Sequence, residues 1–255
     1  MNAAQFLMRS PAERALRQQN KQDAVLRWLR DEIWSTPELL AQVMGLTARS
    51  GAYRTLAMME REGFLRSAAV PIFKGMEQKI FGITSHGLAH AYGADEPYVQ
   101  RPTFEPSKVK LTTLQHELDI QMLRLRASRA GWQQWIPGAR LGIASPDMKR
   151  PDAVVRSLAG EIVAIEVERT IKTLKRYEVL MSQYFQAISK GQYTSVVWLC
   201  PTLDLASRLL RILRTIQSVP VAGTRVRLED RHARLWAVVP YEQWLATPTQ
   251  STKES

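Results

Sequence analysis

The chain has little cysteine and histidine, which excludes several kinds of site. Its 255 residues include one cysteine and four histidines. Cys200 has no partner for an internal disulfide and ends the apolar segment TSVVWLC, so we expect a buried structural thiol in a reducing cytoplasm. His86 and His90 are spaced for zinc on a helix, but no cysteine or carboxylate at a matching spacing completes such a site. Zinc binding is therefore not expected.

The motifs of several enzyme classes are also absent. His116 and Glu117 begin a zinc-protease motif, but Ile120 stands where the second histidine is required. The segment GARLGIASPDMKR lacks the ending of a phosphate-binding loop, and no Gly-x-Ser-x-Gly segment presents a serine nucleophile. A His-hydrophobic-His segment, with which some DNA-nicking enzymes hold a metal, is missing as well.

Long apolar segments are missing too. No segment approaches the roughly 20 residues that a membrane span needs. The first twenty residues, MNAAQFLMRSPAERALRQQN, lack the apolar centre of a signal peptide. We therefore expect a soluble cytoplasmic protein without membrane insertion.

Basic residues are in excess, mainly in the second part of the chain. The formal net charge is +11. Residues 1–100 contain 12 Lys and Arg against 10 Asp and Glu, whereas residues 101–255 contain 23 against 14. Such an excess favours a polyanionic partner, most simply nucleic acid. The length of the chain fits two domains better than one.

The first part of the chain has the pattern of a winged helix-turn-helix. KQDAVLRWLRDEIW and TARSGAYRTLAMMEREGFL are amphipathic, and STPELLAQVMG between them has an N-cap, a proline and a glutamate at its start and a glycine at its end. FLRSAAVPIFKGMEQKIFGIT follows as two apolar strands around a polar turn. This order predicts a winged helix over residues 21–92, preceded by an N-terminal extension of residues 1–20.

The third helix of this domain is expected to lie in the major groove of double-stranded DNA. The side chains expected to contact DNA are Arg49, Ser50 and Arg54 on that helix and Lys74 and Lys79 on the wing. A winged helix that binds another protein would have the same core. This alternative stays open because residues 1–100 carry little net charge.

The second part of the chain has a mixed α/β pattern. Residues 93–110 contain prolines and lack apolar periodicity, which indicates a linker. Residues 111–246 alternate between amphipathic and apolar segments in the order α-β-β-β-α-β-α-β. Residues 247–255 are polar and are predicted to be a disordered tail. The expected fold class is therefore α+β, with a mixed α/β domain after the winged helix.

A hairpin of the second domain carries acidic residues where a buried strand should avoid them. Residues 149–172 read KRPDAVVRSLAGEIVAIEVERTIK and contain Asp152, Glu166 and Glu168. Metal-dependent cleavage of a phosphodiester needs hard oxygen ligands for Mg²⁺ or Mn²⁺ and a cation near the phosphate. RPDAVV followed by AIEVERTIK resembles the PD-(D/E)xK nuclease pattern.

This resemblance implies a restriction-endonuclease-like domain with a metal site. Asp152 and Glu166 would bind Mg²⁺ or Mn²⁺, and Glu117 on the preceding helix would add another acidic ligand. Glu168 stands where the pattern has its lysine, and Lys172 is the best replacement for that cation. The implied catalytic residues are thus Asp152, Glu166, Glu168 and Lys172.

Basic side chains near and beyond the hairpin are candidates for contacts with DNA phosphates. Those near the hairpin are Lys149, Arg150 and Lys175, and those that recur along a later helix are Arg208, Arg211 and Arg214. A solvated helix face explains the second group equally well.

The length of the turn decides whether the carboxylates of the hairpin can meet. A two-residue turn at Ala159-Gly160 would place Asp152 opposite Val167. A three-residue turn places Asp152 opposite Glu166 or Glu168, and Gly160 can supply its left-handed residue. We therefore predict the longer turn. The alternative is that both glutamates lie on the solvent side of an edge strand and bind nothing.

The whole layout resembles the replication-relaxation proteins and, within them, the MobC-type plasmid mobilisation relaxases. The resemblance covers roughly residues 22–200 and is strongest at Pro151-Asp152, at Glu166-Val167-Glu168 and at Lys172 with Tyr177. It implies metal-dependent nicking of one strand at a specific transfer origin during conjugative mobilisation. The implied partners besides DNA are an accessory mobilisation protein and a coupling protein. A non-catalytic winged-helix regulator of plasmid replication or transcription is the alternative, because Glu168 departs from the pattern.

Overall fold

A computed structural model describes residues 10–72, 76–142 and 149–245. Within them the chain forms two compact units, which divide between Gln121 and Met122. These residues contain seven α-helices and ten strands in three sheets, so the predicted α+β class is confirmed. In this part of the chain no helix has the length and apolar character needed to cross a membrane.

Four helices and a three-stranded sheet build most of the first unit. The elements are α1 (Pro11–Glu32), β1 (Trp34–Ser35), α2 (Pro37–Val43), α3 (Arg49–Arg61), β2 (Leu65–Pro71), β3 (Glu77–Ile83) and α4 (Ser85–His90). The strand order is β1-β3-β2, and β2 pairs with β3 as an antiparallel hairpin. Of the two candidate caps, Ser35 and Thr36, it is Thr36 that caps α2, by accepting a hydrogen bond from the backbone N of Leu39. Two helices joined by a short turn and followed by this hairpin have the arrangement of a winged helix-turn-helix.

Helix α1 begins ten residues before its predicted start. The backbone N of Glu13 donates to Ser10 Oγ at 3.2 Å, the backbone N of Ser10 donates to Glu13 Oε2 at 2.9 Å, and Pro11 takes the first helical position. Residues 11–20 therefore form part of a helix and not a separate extension. Their side chains are mostly exposed, including that of Leu16, so apolar periodicity gives no sign of this half of the helix.

The predicted linker, residues 93–110, belongs to the first unit and packs within it at Phe104. Its only regular element is a short 3₁₀ helix, Pro106–Lys108. Phe104 is buried, and its backbone N donates to the carbonyl of Ile83 at 2.9 Å. Its ring lies directly over Gly82, where an added Cβ would come within 2.0 Å of Phe104 Cγ. A single aromatic side chain in an irregular segment leaves no periodic signal, so this contact is invisible in the sequence.

The second unit contains a five-stranded mixed sheet. Helix α5 (Leu114–Arg129) contains the division between the units and is followed by β4 (Gln133–Pro137), β5 (Ala153–Arg156), β6 (Ile162–Val167), α6 (Leu174–Ser189), β7 (Ser195–Cys200), α7 (Leu203–Arg214), β8 (Ser218–Val221), β9 (Thr224–Arg227) and β10 (Trp236–Pro240). The order in the sheet is β10-β7-β6-β5-β4. Apart from the hairpin β8–β9, these elements follow the predicted order.

Strand β6 lies in the middle of this sheet. It pairs with β5 antiparallel and with β7 parallel, and β10 adds a second parallel pair. Parallel neighbours require crossover connections, which α6 and α7 provide. Both helices pack on the sheet in one core, where Leu180 and Leu209 surround Trp198 of β7. The end of β6 that carries the glutamates is therefore covered by protein.

The hairpin β8–β9 has short strands and no apolar alternation that would predict it. Ala222 and Gly223 both have positive φ, which is the backbone of a tight two-residue hairpin turn. Val219 pairs with Val226, and Pro220 pairs with Arg225. Because paired residues share a face, Val219 and Val226 lie on one face of the hairpin and Arg225 on the other.

Candidate active site at the β5–β6 hairpin

The turn between β5 and β6 has three residues, as predicted. Ser157 N donates to the carbonyl of Glu161 at 2.9 Å, and Gly160 has φ of 82°. Ala153 stands opposite Ile165. The regular pairing ends there, because Asp152 N also donates to the carbonyl of Ile165. The charge of Asp152 raises the pKa of Glu166, so the two carboxyl groups lie near each other at this end of the hairpin.

Backbone contacts on both sides hold Asp152. Its side-chain Oδ2 accepts a hydrogen bond from Val167 N at 2.8 Å, and its own N donates to the carbonyl of Ile165 at 3.0 Å. Its carbonyl accepts from Gly138 N at 2.7 Å, so the segment after β4 also fixes its position. An added Cβ on Gly138 would meet the carbonyl oxygen of Pro151 at 2.1 Å, which means that only glycine fits there.

Glu166 is a buried carboxylate with a cationic partner. It is 5% exposed, and its Oε1 accepts hydrogen bonds from the Tyr184 hydroxyl and from Lys149 Nζ, the latter at 2.7 Å. Burial and the nearby charge of Asp152 raise the pKa of Glu166 to about 7, against the opposing effects of Lys149 and Tyr184. A carboxyl group near neutrality beside a second acidic group is typical of a functional site.

Glu168 forms a second set of contacts of the same kind. It is 3% exposed, and its Oε2 accepts from Lys172 Nζ and from the Tyr177 hydroxyl, the latter at 3.1 Å. The Tyr177 hydroxyl in turn accepts from Lys172 N at 3.0 Å. Lys172 is thus bound through both its backbone and its side chain to the surroundings of Glu168.

Each glutamate of the hairpin therefore has one lysine and one tyrosine of α6 as partners. This arrangement overturns the alternative of a solvated edge, since both carboxylates are buried and their strand is central. The sequence does not reveal the pairing of Lys149 with Glu166, because it crosses from the segment before β5 to the neighbouring strand. The sequence gives one weak indication that Tyr177 and Tyr184 act together: their spacing places them two turns apart on the same face of α6, which is the buried one.

Both tyrosines are poor nucleophiles where they stand. Tyr177 and Tyr184 are fully buried, and burial, reinforced by the neighbouring glutamates, raises the pKa of both hydroxyls. The phenolate that would attack a phosphodiester is therefore disfavoured at each position, and a phosphate has no access to a fully buried hydroxyl.

Asp152 and Glu166 fit a hard divalent cation as a pair of ligands. Among residues 10–72, 76–142 and 149–245 no group of three or more His, Cys, Asp or Glu is arranged to hold a metal. Mg²⁺ is usually bound by one or two carboxylates together with water and substrate phosphates, so a pair suffices. Their mutual repulsion, visible in the raised pKa of Glu166, would be relieved by a cation. Glu117 lies in the first unit, where its Oε1 accepts from Thr113 Oγ1 at 2.7 Å, and its role as a ligand stays a prediction.

The outward face of α3 carries the residues predicted to contact DNA. Arg49, Ser50 and Arg54 are exposed, and Arg49 has Glu38 of α2 within 3.9 Å. On the wing, Lys79 is exposed, whereas Lys74 lies outside the described residues.

Arg54 is close to two further cations, Arg17 and Lys21, which the sequence does not indicate as a cluster. Burial and the positive charges of Arg17 and Arg54 lower the pKa of Lys21. Arg17 and Lys21 belong to α1, and Arg54 belongs to α3, so the packing of the two helices brings these like charges together. Like charges held this close favour a polyanion between them.

The second unit has further exposed basic residues. Arg150, Lys175 and Arg211 are exposed, and Arg208 has Asp204 within 3.8 Å on the same helix. The sequence does not indicate the arginines of the hairpin β8–β9 as candidates, because it does not predict this hairpin. Both are exposed, and they are Arg225 and Arg227.

Comparisons with known proteins give a family. Among solved structures, that of Bacillus subtilis PadR in complex with operator DNA is similar at 13% identity, covering 76% of this chain and 98% of that chain. Its TM-score of 0.27 is too low to establish a shared fold. A comparison with curated proteins finds no match. The family model described as replication-relaxation matches residues 26–201, and the chain therefore belongs to the replication-relaxation family.

Proposed function

We propose that this protein is a metal-dependent DNA strand-nicking relaxase that acts in the cytoplasm at a transfer origin of a plasmid or mobile element. The observation that carries the proposal is the end of the β5–β6 hairpin, where the Asp152 carboxylate is bonded to Val167 N beside the buried Glu166 and raises the pKa of that glutamate. Membership in the replication-relaxation family supports a role in replication or mobilisation.

In this proposal Asp152 and Glu166 hold Mg²⁺ or Mn²⁺. A bound divalent ion would lower the pKa of a water molecule and neutralise charge on the phosphorus oxygens. The protein contributes the orientation of the ligands: Val167 N holds Asp152 Oδ2, and the Tyr184 hydroxyl holds Glu166 Oε1. Because the hydroxyl groups of Tyr177 and Tyr184 are buried, the proposed nucleophile is a water molecule and not one of these two tyrosines.

DNA recognition is proposed for the winged helix. Helix α3 presents Arg49 and Arg54 to solvent, and Arg17 and Lys21 of α1 extend the positive charge beside Arg54. Side chains from a recognition helix specify bases, while neighbouring cations contact phosphates. The same surface would serve a regulator that binds DNA without cutting it.

Strand nicking is tested with supercoiled plasmid that carries the protein's own origin. We expect the purified full-length protein with Mn²⁺ to convert it to open circles, and we expect EDTA to prevent this. Asp152→Ala should reduce the rate at least tenfold, because it removes a ligand of the metal. Glu161→Gln is the matched control, since Glu161 is exposed at the other end of the same hairpin.

Two results would contradict the nickase proposal. One is a wild-type protein that leaves the plasmid closed in Mn²⁺ and in Mg²⁺. The other is an Asp152→Ala variant that nicks as fast as wild type.

The second candidate function, a non-catalytic DNA-binding regulator, is favoured by Glu168. This carboxylate stands at the lysine position of the nuclease pattern and is neutralised by Lys172. We expect Arg54→Ala to weaken binding to origin duplex about tenfold, a loss of the size typical for one base or phosphate contact. Arg27→Ala is the control, because Arg27 is an exposed arginine of α1 whose charge acts on Glu96. Fluorescence anisotropy measures both, and equal affinities for the two variants would exclude this surface as the DNA contact.

A further inference from the structure

We infer that Lys149, and not Lys172, is the lysine that contacts the phosphodiester in the proposed nicking reaction. The inference rests on the proposed function and deepens it. It concerns the cation that the nuclease pattern places two residues after its glutamate, where this chain has Glu168.

Lys172 is committed to a different carboxylate. Its Nζ is bound to Glu168 Oε2, and its backbone N donates to the Tyr177 hydroxyl that also holds this glutamate. Glu168 is buried, so removal of Lys172 would leave a buried carboxylate without its cation. Lys172 therefore stabilises Glu168, and the pair as a whole is neutral.

Lys149 is the lysine that contacts Glu166, one of the two proposed metal ligands. Its Nζ lies 2.7 Å from Glu166 Oε1, and it also donates to the carbonyl of Arg150 at 2.8 Å. The side chain of Lys149 is 22% exposed, whereas that of Glu166 is 7% exposed. The ammonium group thus lies on the solvent side of the buried carboxylate, where a phosphate could reach it.

The charges around Glu166 also favour this assignment. Asp152 and Glu166 together carry two negative charges when ionised, and Lys149 offsets one of them. A divalent cation bound by both carboxylates would offset their charge and would weaken the attraction between Glu166 and Lys149. The ammonium would then be a positive side chain next to the developing negative charge on the phosphate. Lys149 therefore has two successive partners, first the carboxylate and then the phosphate.

Opposite effects on metal affinity and on nicking follow from this assignment. Lys149→Met removes a cation that competes for Glu166 Oε1, so we expect the Kd for Mn²⁺ at pH 8 to fall about tenfold, as expected for loss of a like charge at this distance. The same variant should nick at least tenfold more slowly, because the phosphate loses its cation. Lys149→Arg should restore part of the nicking rate. Lys190→Met is the matched control and should leave the Kd for Mn²⁺ unchanged, because Lys190 is an exposed lysine at the C-terminal end of α6.

The measurement is Mn²⁺ titration of the full-length protein without DNA, followed by electron paramagnetic resonance, together with the plasmid assay. Thermal unfolding in EDTA shows whether each variant is folded. If the wild type binds Mn²⁺ and nicks, but Lys149→Met binds Mn²⁺ with the same Kd as the wild type, the assignment of Lys149 is overturned and the proposed function is not. A wild-type protein that neither binds Mn²⁺ nor nicks would overturn the proposed function, and the assignment with it.

Discussion

Glu166→Gln is expected to make the protein more stable above neutral pH in metal-free buffer, by on the order of 3 kcal/mol. The reason is the pKa of Glu166, which burial and Asp152 raise from 4.5 to about 7 in the folded protein. Below about pH 4.5 the carboxyl group is protonated in the folded and unfolded states alike, and it has no effect on the pH dependence. Between pH 4.5 and 7 the folded state keeps a proton that the unfolded state has lost.

The contribution of Glu166 to the free energy of unfolding therefore falls as the pH rises from 4.5 to 7, and it stays constant above pH 7. The amide of the variant stays neutral at every pH, so the variant does not lose this stability. Protonated Glu166 and the amide leave Lys149 equally without an anionic partner, and the two proteins should unfold alike near pH 4.5. The expected difference in free energy of unfolding thus grows from near zero at pH 4.5 to its full value above pH 7.

Urea unfolding at a series of pH values in EDTA measures this difference. Glu161→Gln serves as the control for the loss of one carboxylate, because Glu161 is exposed on the same strand pair. Addition of Mn²⁺ should reverse the order and favour the wild type, since a ligand that binds only the folded state stabilises it. A variant less stable than wild type at pH 8 in EDTA would show that Glu166 is a net stabilising group and not a site poised for a cation.

Gly138→Ala is expected to destabilise the protein by about 3 kcal/mol and to abolish nicking. A Cβ at this position would lie 2.1 Å from the carbonyl oxygen of Pro151 and 3.0 Å from that of Asp152. Both are backbone atoms, so no side-chain rotation relieves the clash. The start of β5 must shift, and the shift moves the Asp152 carboxyl group away from Glu166.

Gly142→Ala is the matched control for this change. Gly142 lies four residues further along, and an added Cβ there meets nothing within 4 Å. We expect it to change the free energy of unfolding by less than about 0.5 kcal/mol and to leave nicking intact. Thermal unfolding and the plasmid assay compare the two variants. A Gly138→Ala protein with wild-type stability would mean that β5 accommodates the methyl group without moving.

Local chemical rules predicted much of the fold from the sequence. The capping residues of α2 and the strand pair after α3 identify the winged helix, because caps and turns act within a few residues. The three-residue turn of the β5–β6 hairpin follows from the need to bring Asp152 and Glu166 to one face. These features depend on spacing, and spacing is visible in a sequence.

Contacts between distant segments are what the sequence could not supply. Phe104 packs on Gly82 across about twenty residues of chain, and Lys149 reaches Glu166 on a neighbouring strand. The choice between Lys149 and Lys172 depends on which carboxylate each ammonium meets. Only the packed structure answers that, since both lysines flank the same hairpin in the sequence.

The three-residue turn between β5 and β6 makes the site sensitive to insertions and deletions. Leu158 in this turn is 75% exposed, so most side chains fit there without cost. Loss or gain of one residue would move Asp152 to the other face of the hairpin, because successive side chains of a strand alternate. The turn can therefore accept many substitutions, while its length decides whether the two carboxyl groups ever share a cation.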